Sequence, residues 1–522
     1  MNNLEFAPLI SAVGAAVFGA AVAGLLVRRL ARRMGVVARN CLRRRHSTPT
    51  PLLGGVALAV GISVFFVIIQ AFDFGFSMPE WPFWIAGMGV LLGLGIWDDV
   101  SPINAKAKFP GELLAAFLLC MGVLSHSGEF VFSGFFLVMI FLSSMFWIVA
   151  LTNFYNFLDG LDGYCASQAI FTALALAGIA ANQSLSPISS GVLCLALAGS
   201  AIGFLFHGFR PARLYLGDSG SLLLGGALAA CALDLFFKDP SLARGFGILL
   251  TFSLPVLDGI SVILIRIKEG RSPFVGDRSH LHHRFQRLGL SQLRSFWVLA
   301  FIGSTFSLVG FLVSTERLQV PWVGVLLAWV VFVGVGAAWL SSREKELYRS
   351  LGVAISERFQ VAGEHKDWLL KRIRNASDEG EFDFRKISVV LIDLKPFIEE
   401  LTTRPSITAQ IFFGRFEQVL RAKLRKADVV VAISSHELAV FLSGGPRDET
   451  ERHAVFSRLQ TIWSQLQTEL LGESSQPEQE RIQALSQWIY LAPTRRRGWA
   501  AKKIGGWVSK ARQNNPGKDA EG

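Results

Sequence analysis

The sequence predicts a polytopic α-helical membrane protein of about eleven transmembrane helices, followed by a C-terminal cytoplasmic α+β domain. Three observations predict it. Hydrophobic residues make up 51% of the 522 positions and the mean hydropathy is +0.43, more apolar than soluble chains average. Long apolar runs recur up to about residue 340, and charged residues become frequent after it. Much of the net charge of +11 flanks apolar runs, which is how membrane proteins mark their cytoplasmic loops and argues against nucleic acid as a partner.

A spanning helix needs roughly 20 predominantly apolar residues. Runs of that kind lie near 7–27, 53–71, 82–97, 111–125, 131–151, 164–181, 187–206, 219–237, 245–265, 295–314 and 320–340. The first continues into Arg28, Arg29, Arg32 and Arg33 with no small-residue cleavage site, so it reads as a retained anchor. Cys41, Cys120, Cys165, Cys194 and Cys231 are scattered singly, which indicates neither a disulfide framework nor a zinc site. Arginine and lysine fill the loops at 28–45, 98–110, 207–218 and 266–294, whereas the alternate loops hold few. With an odd number of spans the N-terminus then faces outside and every basic loop faces the cytoplasm. The predicted organisation is a membrane domain over 1–340, a charged helical connector over 341–385 and a soluble domain over 386–522.

Charged and amide side chains sit at particular ends of these runs. Asp98 and Asp99 end the third. Asn153, Asn156, Asp159 and Asp162 end the fifth, in "NFYNFLDGLDGY". Asp218 begins the eighth, Asp258 lies within the ninth, and Asp277, His280, His282 and His283 follow it. Residues three or four apart share a helix face, so Asn153, Asn156 and Asp159 point one way, into the bundle. Ionisable groups inside a membrane domain mark a functional site by default. This many carboxylates repel unless a cation neutralises them, and hard oxygen ligands suit Mg²⁺ bridging to substrate phosphates. Histidine and arginine of the last loop read as partners for anionic oxygens. The sum is a cytoplasm-facing, metal-assisted phosphate site.

Five segments, in order, then carry a family resemblance. "RRRHSTPTPLLGG", "GIWDDVSPINAKAKF", "NFYNFLDGLDGY", "PARLYLGDSGSLLLGG" and "RSPFVGDRSHLHHRF" resemble the cytoplasmic motifs of the polyprenyl-phosphate N-acetylhexosamine-1-phosphate transferases, over about residues 40–295. Two positions depart from the family pattern: Glu112, where glutamine is frequent, and Gly208, where asparagine is common. The resemblance implies transfer of a sugar 1-phosphate from a UDP-N-acetylhexosamine to polyprenyl phosphate, releasing UMP, with Mg²⁺ as cofactor and Mn²⁺ as its alternative, in the bacterial inner membrane. It implies Asp218 as the metal ligand. Asp98 and Asp99 would orient or deprotonate the lipid phosphate, and Asp159 and Asp162 join them as catalytic carboxylates. Asn153 and Asn156 would bind substrate. Arg278, His280, His282 and His283 would bind the diphosphate and sugar, with Lys108 and His46 as supporting phosphate contacts. The identity of the sugar and a homodimeric state are left open.

Each segment has a bland counterpart when taken alone. An Asp pair can cap a helix, Asp-Gly favours turns, and "GDSG" can be an N-cap. Five in order at matching helix ends do not fit that description. Asp258 reads first as a carboxylate satisfied by a basic partner, and Gly54 and Gly55 as close helix packing. A coupled transporter would put its ionisable groups near mid-bilayer rather than at one face.

The soluble domain reads as β-α-β-β-α-β, an α+β sandwich. Strands are predicted over 387–397, 429–444 (a hairpin turning near Ser434) and 487–493, with helices over 406–428, 448–470 and 498–512. The pattern resembles a degenerate GGDEF domain, with "SSHEL" at the signature turn, Asp393 matching the metal-binding acid and Glu437 the retained one. Ser434 and Ser435 replace the turn glycines that let substrate approach the backbone, so cyclase activity is not expected. The competing class, a multi-span signalling protein with a GGDEF-like output domain, would need that turn intact. Arg425 and Asp428 match the spacing of a cyclic di-GMP site; a salt-bridged strand entry is the plainer reading. Cyclic di-GMP or a protein partner stays open for this domain. The basic tail with Trp499, Lys503 and Trp507 reads as a last helix packed inward.

Overall fold

Hydrocarbon offers the backbone no hydrogen-bond partners, so apolar runs of this length form helices that satisfy their own amides. The computed structural model describes residues 3–38, 49–72, 80–125, 134–183, 189–268, 280–288, 290–318, single positions between 321 and 346, and strand residues 387–393, 429–432, 437–443 and 488–489. The chain divides into two compact units, the first comprising 1–275, 280–286 and 290–337. Its long helices are α1 (Asn3–Arg33), α2 (Gly54–Ala71), α3 (Trp81–Val100), α4 (Ala105–Leu124), α5 (Gly134–Leu158), α6 (Tyr164–Ala181), α7 (Ser189–Gly208), α8 (Gly217–Lys238) and α12 (Gln292–Ser314). Among the described residues these nine are long and apolar enough to cross a membrane.

The expected span at 245–265 is a bent pair instead. Helices α9 (Leu242–Thr251) and α10 (Ser253–Lys268) meet at 70°. Counted as one span, the pair brings the number to ten, against the eleven expected; the run at 320–340 falls largely outside the described residues. Proline explains the break. Pro255 has no N–H to give the Thr251 carbonyl four residues back. That carbonyl accepts from Thr172 Oγ of α6 instead (3.2 Å), and Thr172 in turn accepts from the Tyr155 hydroxyl (3.0 Å). The buried network closes a gap in the helix ladder with side chains from two other helices.

Helix α8 is the axis of the bundle. It is buried along most of its length, packed against α2, α3, α5 and α6. Small residues make this approach feasible: a Cβ on Gly225 or Gly226 would fall within 3 Å of α5 or α3 atoms. Helices α1, α2 and α7 form a second group, pinned where His207 Nε2 of α7 donates to the Ala21 carbonyl of α1 at 2.8 Å. The chain alternates direction through successive spans. The C-terminal ends of α3 and α5 therefore lie beside the N-terminal ends of α4 and α8, which gathers the polar segments.

The second unit comprises 276–279, 287–289 and 338–522. Its described strands are β1 (Ile387–Asp393), β2 (Val429–Ala432), β3 (Glu437–Ser443) and β4 (Trp488–Ile489). They form one antiparallel sheet in the order β2-β3-β1-β4. Asp393 of β1 lies opposite Glu437 of β3 in the register. The helices expected between the strands, Arg425, Asp428 and most of the connector lie outside the described residues.

Replacing Thr172 by valine keeps the shape and removes the partner of the Thr251 carbonyl. We expect destabilisation of about 1–3 kcal/mol, read as a lower melting temperature in detergent; an unchanged melting temperature would count against the role given to Thr172.

Candidate active site

The first turn of α8 has no capping side chain of its own; Leu216 precedes it. Its amides are received by carboxylates from two other helix ends. Gly217 N–H donates to Asp159 Oδ2 at 3.1 Å. Asp218 N–H donates to Asp99 Oδ1 at 2.9 Å, and Ser219 donates to Asp99 Oδ2 through its N–H at 3.3 Å and its hydroxyl at 2.7 Å. Anionic groups at a helix N-terminus are favoured by the aligned peptide dipoles as well as by these bonds. Gly217 has φ +70, and a Cβ there would lie 2.4 Å from the Asp99 carboxylate; backbone conformation and space both demand glycine. Gly55 of α2 and Gly95 of α3 close on Ser219 from two sides, each leaving under 2.5 Å for a Cβ. Gly54 and Gly55 are packing residues, as their sequence suggested.

The neighbouring groups follow from the same junction. Asp98 Oδ1 accepts from Ile103 N–H at 2.9 Å, holding the α3–α4 turn. Lys108, on the first turn of α4, lies 3.2 Å from Asp98 Oδ2 and makes a second, closer ion pair with Asp218 Oδ2. Asp162 Oδ2 accepts from Ala212 N–H at 3.2 Å, fixing the segment that leads into α8. A cavity of about 400 Å³ opens here, and Asp98, Asp99, Asp159, Asp162 and Asp218 all line it. Asp159 stands just past the end of α5; burial, then the charges of Asp218 and Asp99, hold its carboxyl well above the usual carboxylate range.

The amides expected on one face of α5 do face the bundle, with different partners. Asn156 donates to Ser221 Oγ of α8 at 3.0 Å. Asn153 donates to buried Glu112 of α4 at 2.7 Å and to its own helix at Val149 O, and it is not part of the cavity wall. The histidines reach the same region. A Cβ on Gly160, a residue of the cavity wall, would lie 2.4 Å from His282 Nε2. The His282 and His283 rings are 4.1 Å apart, and His280 packs on Phe157 at 5.0 Å, at the start of α11 (Leu281–Arg287). His46 and Arg278 lie outside the described residues.

The aspartates are legible in the sequence; the groups that hold them are not. Ser219 and Ser221 stand in "GDSGS" with no sequence feature marking them as ties to α3 and α5. Asp258 was expected to meet a basic partner; its partners are the imidazole of His280 at 2.9 Å and the Leu281 N–H at 2.6 Å.

Among the described residues no three His, Cys, Asp or Glu side chains form a protein-only metal cage. Mg²⁺ does not require one, since it takes one or two carboxylates and completes its shell with water and phosphate oxygens. Five carboxylates on one cavity wall, with Lys108 bridging two of them, leave an excess of negative charge that suits a divalent cation and a phosphorylated ligand arriving with it.

A family model described as glycosyl transferase family 4 matches residues 81–236. The chain is 35% identical over 298 residues to the decaprenyl-phosphate N-acetylglucosaminephosphotransferase of Mycobacterium tuberculosis, covering 51% of this chain and 73% of that protein. It is 28% identical over 312 residues to a probable undecaprenyl-phosphate N-acetylglucosaminyl 1-phosphate transferase of Bacillus subtilis (59% and 85% covered). To the undecaprenyl-phosphate alpha-N-acetylglucosaminyl 1-phosphate transferase of Escherichia coli strain K12 it is 24% identical over 335 residues (60% and 88% covered).

Two outcomes follow from this geometry. Gly217→Ala should destabilise by about 1–3 kcal/mol through strain and, by displacing Asp99, abolish activity even where folded protein is recovered. The second concerns pH. A carboxyl whose pKa is raised on folding stabilises the native state below its unfolded value, near ~3.9, and that contribution is lost as pH rises through the folded value. In chelator, the melting temperature of Asp159→Asn should therefore gain on wild type from pH 5 to pH 8. A gap that stays constant with pH would refute the assignment to Asp159.

Proposed function

The chain belongs to glycosyl transferase family 4, and from that premise we propose that it transfers N-acetylglucosamine 1-phosphate from UDP-N-acetylglucosamine to polyprenyl phosphate, releasing UMP and initiating a lipid-linked glycan. The observation that carries the reading is the junction of three helix ends, where five carboxylates line one cavity and Lys108 pairs with two of them. In the reaction an oxygen of the lipid phosphate bonds to the β-phosphorus of the nucleotide sugar. The bond from that phosphorus to the oxygen bridging to the α-phosphate breaks, and that oxygen leaves with UMP.

Phosphoryl transfer is governed by positioning and charge neutralisation. Asp218 is the residue that would hold Mg²⁺, with Asp159 nearby; when bound, such an ion neutralises diphosphate oxygens and the developing charge on the leaving UMP. Asp99 fixes the turn that presents Asp218. Asp98 has one oxygen tied to the α3–α4 turn and the other toward Lys108, so it is the carboxylate suited to orient the lipid phosphate and accept its proton. Lys108 offers its ammonium to the diphosphate once substrate competes with the aspartates for it. His280, His282 and His283, beside the Asp159 loop, suit the diphosphate and sugar. The cavity is read as cytoplasmic, in a bacterial inner membrane, because Arg28, Arg32, Lys106 and Arg213 flank the same helix ends. The region from residue 386 is read as a regulatory or scaffolding appendage.

Membranes carrying the protein, given radiolabelled UDP-N-acetylglucosamine and polyprenyl phosphate, should yield label in the lipid extract. Chelator should stop the transfer, and Asp218→Asn should lower the rate by roughly 10²–10³-fold at equal protein level. Retained turnover in that variant would end the assignment of Asp218.

A further inference from the structure

We propose that Asp258 is a positioning residue that acts through His280. Asp258 lies on α10 and is 1% exposed. A carboxylate at such a site is costly unless its oxygens are hydrogen-bonded. Both are: Oδ2 lies 2.9 Å from His280 Nδ1, and Oδ1 accepts from Leu281 N–H at 2.6 Å. The carboxylate thus grips the ring and the backbone of the next residue together, across 22 positions of sequence.

The pairing determines which nitrogen does what. An ionised carboxylate only accepts, so Nδ1 carries the proton that binds Asp258, and Nε2 is the ring nitrogen left for another partner. A carboxylate in this place fixes both tautomer and ring orientation, as behind metal-bound histidines and in catalytic triads. The pair is also anchored to the site. Gly259, the next residue of α10, leaves only 2.2 Å between a would-be Cβ and the Phe154 ring of α5. The His280 ring rests on Phe157, one turn further along. Asp159 follows two residues later and lines the cavity. Anchoring α11 alone would need just the Leu281 N–H; the oxygen on the ring goes beyond that. The inference rests on the proposed function, in which His280 binds the nucleotide-sugar diphosphate.

A double-mutant cycle on the full chain in membranes tests it. Asp258→Asn should lower kcat/KM for UDP-N-acetylglucosamine by roughly 10- to 100-fold, while leaving KM for polyprenyl phosphate within about twofold. In a His280→Ala background the same substitution should change kcat/KM by less than about twofold, because its effect is already lost. Asp258→Ala, which also removes the carboxylate, serves for the same cycle with the same expected outcomes where Asp258→Asn does not accumulate. Losses that multiply in the double variant, or full activity in Asp258→Asn, overturn the assignment while wild type remains active. Wild-type membranes that transfer no label overturn the proposed function, and this assignment with it.

Discussion

The first turn of α8 is held by carboxylates that belong to other helices, and the site exists because of that. Three successive amides, Gly217 to Ser219, end on Asp159 and Asp99. Without them the turn would present orphan donors at the edge of an apolar bundle, which is costly. With them, α3, α5 and α8 are locked at one level, and Asp218 projects from a rigid place. The glycines at 55, 95 and 217 are the steric counterpart, since none has room for a Cβ. Position and charge are thereby set before any substrate arrives.

That arrangement concentrates like charge. Asp98 and Asp218 share Lys108, and the remaining three aspartates are drawn in by backbone amides rather than by cations. Amides carry only partial charge, so negative potential is left over. A low-dielectric wall sharpens it. A cavity of this kind is ill-suited to a bare anion and well suited to an anion accompanied by a divalent cation. The same reasoning accounts for Lys108 standing between two carboxylates, where it offsets their repulsion.

How much of this the sequence disclosed depended on whether the signal was local. The apolar runs, the basic loops and the aspartates at helix ends are local patterns, and eight expected runs from 7–27 to 219–237, with that at 295–314, have counterparts in α1 to α8 and α12. Pro255 is visible in the sequence, but hydropathy averages over a window and does not register a missing N–H, so the 70° bend leaves no mark on the apolar run. Helical phase puts Asn153 on the bundle face, yet phase does not say which neighbour is met, and Glu112 intercepts it. Asp258 and His280 are 22 residues apart, and no periodicity relates them. In the C-terminal region strand-forming runs were legible at 387–393, 429–432 and 437–443. Arg425 and Asp428 fall outside the described residues.

The break at Phe252 insulates one part of the protein from errors in another. An unbroken helix transmits any slip along its length, and one inserted residue rotates everything beyond it by about 100°. Helix α9 is registered against α12, where Gly247 and Gly310 touch, and α10 against α5. Because the two meet at an angle, a change of phase in α9 is absorbed at the corner. The aim of Asp258 is thereby set by the packing of α10 on α5 rather than by the helical phase of α9.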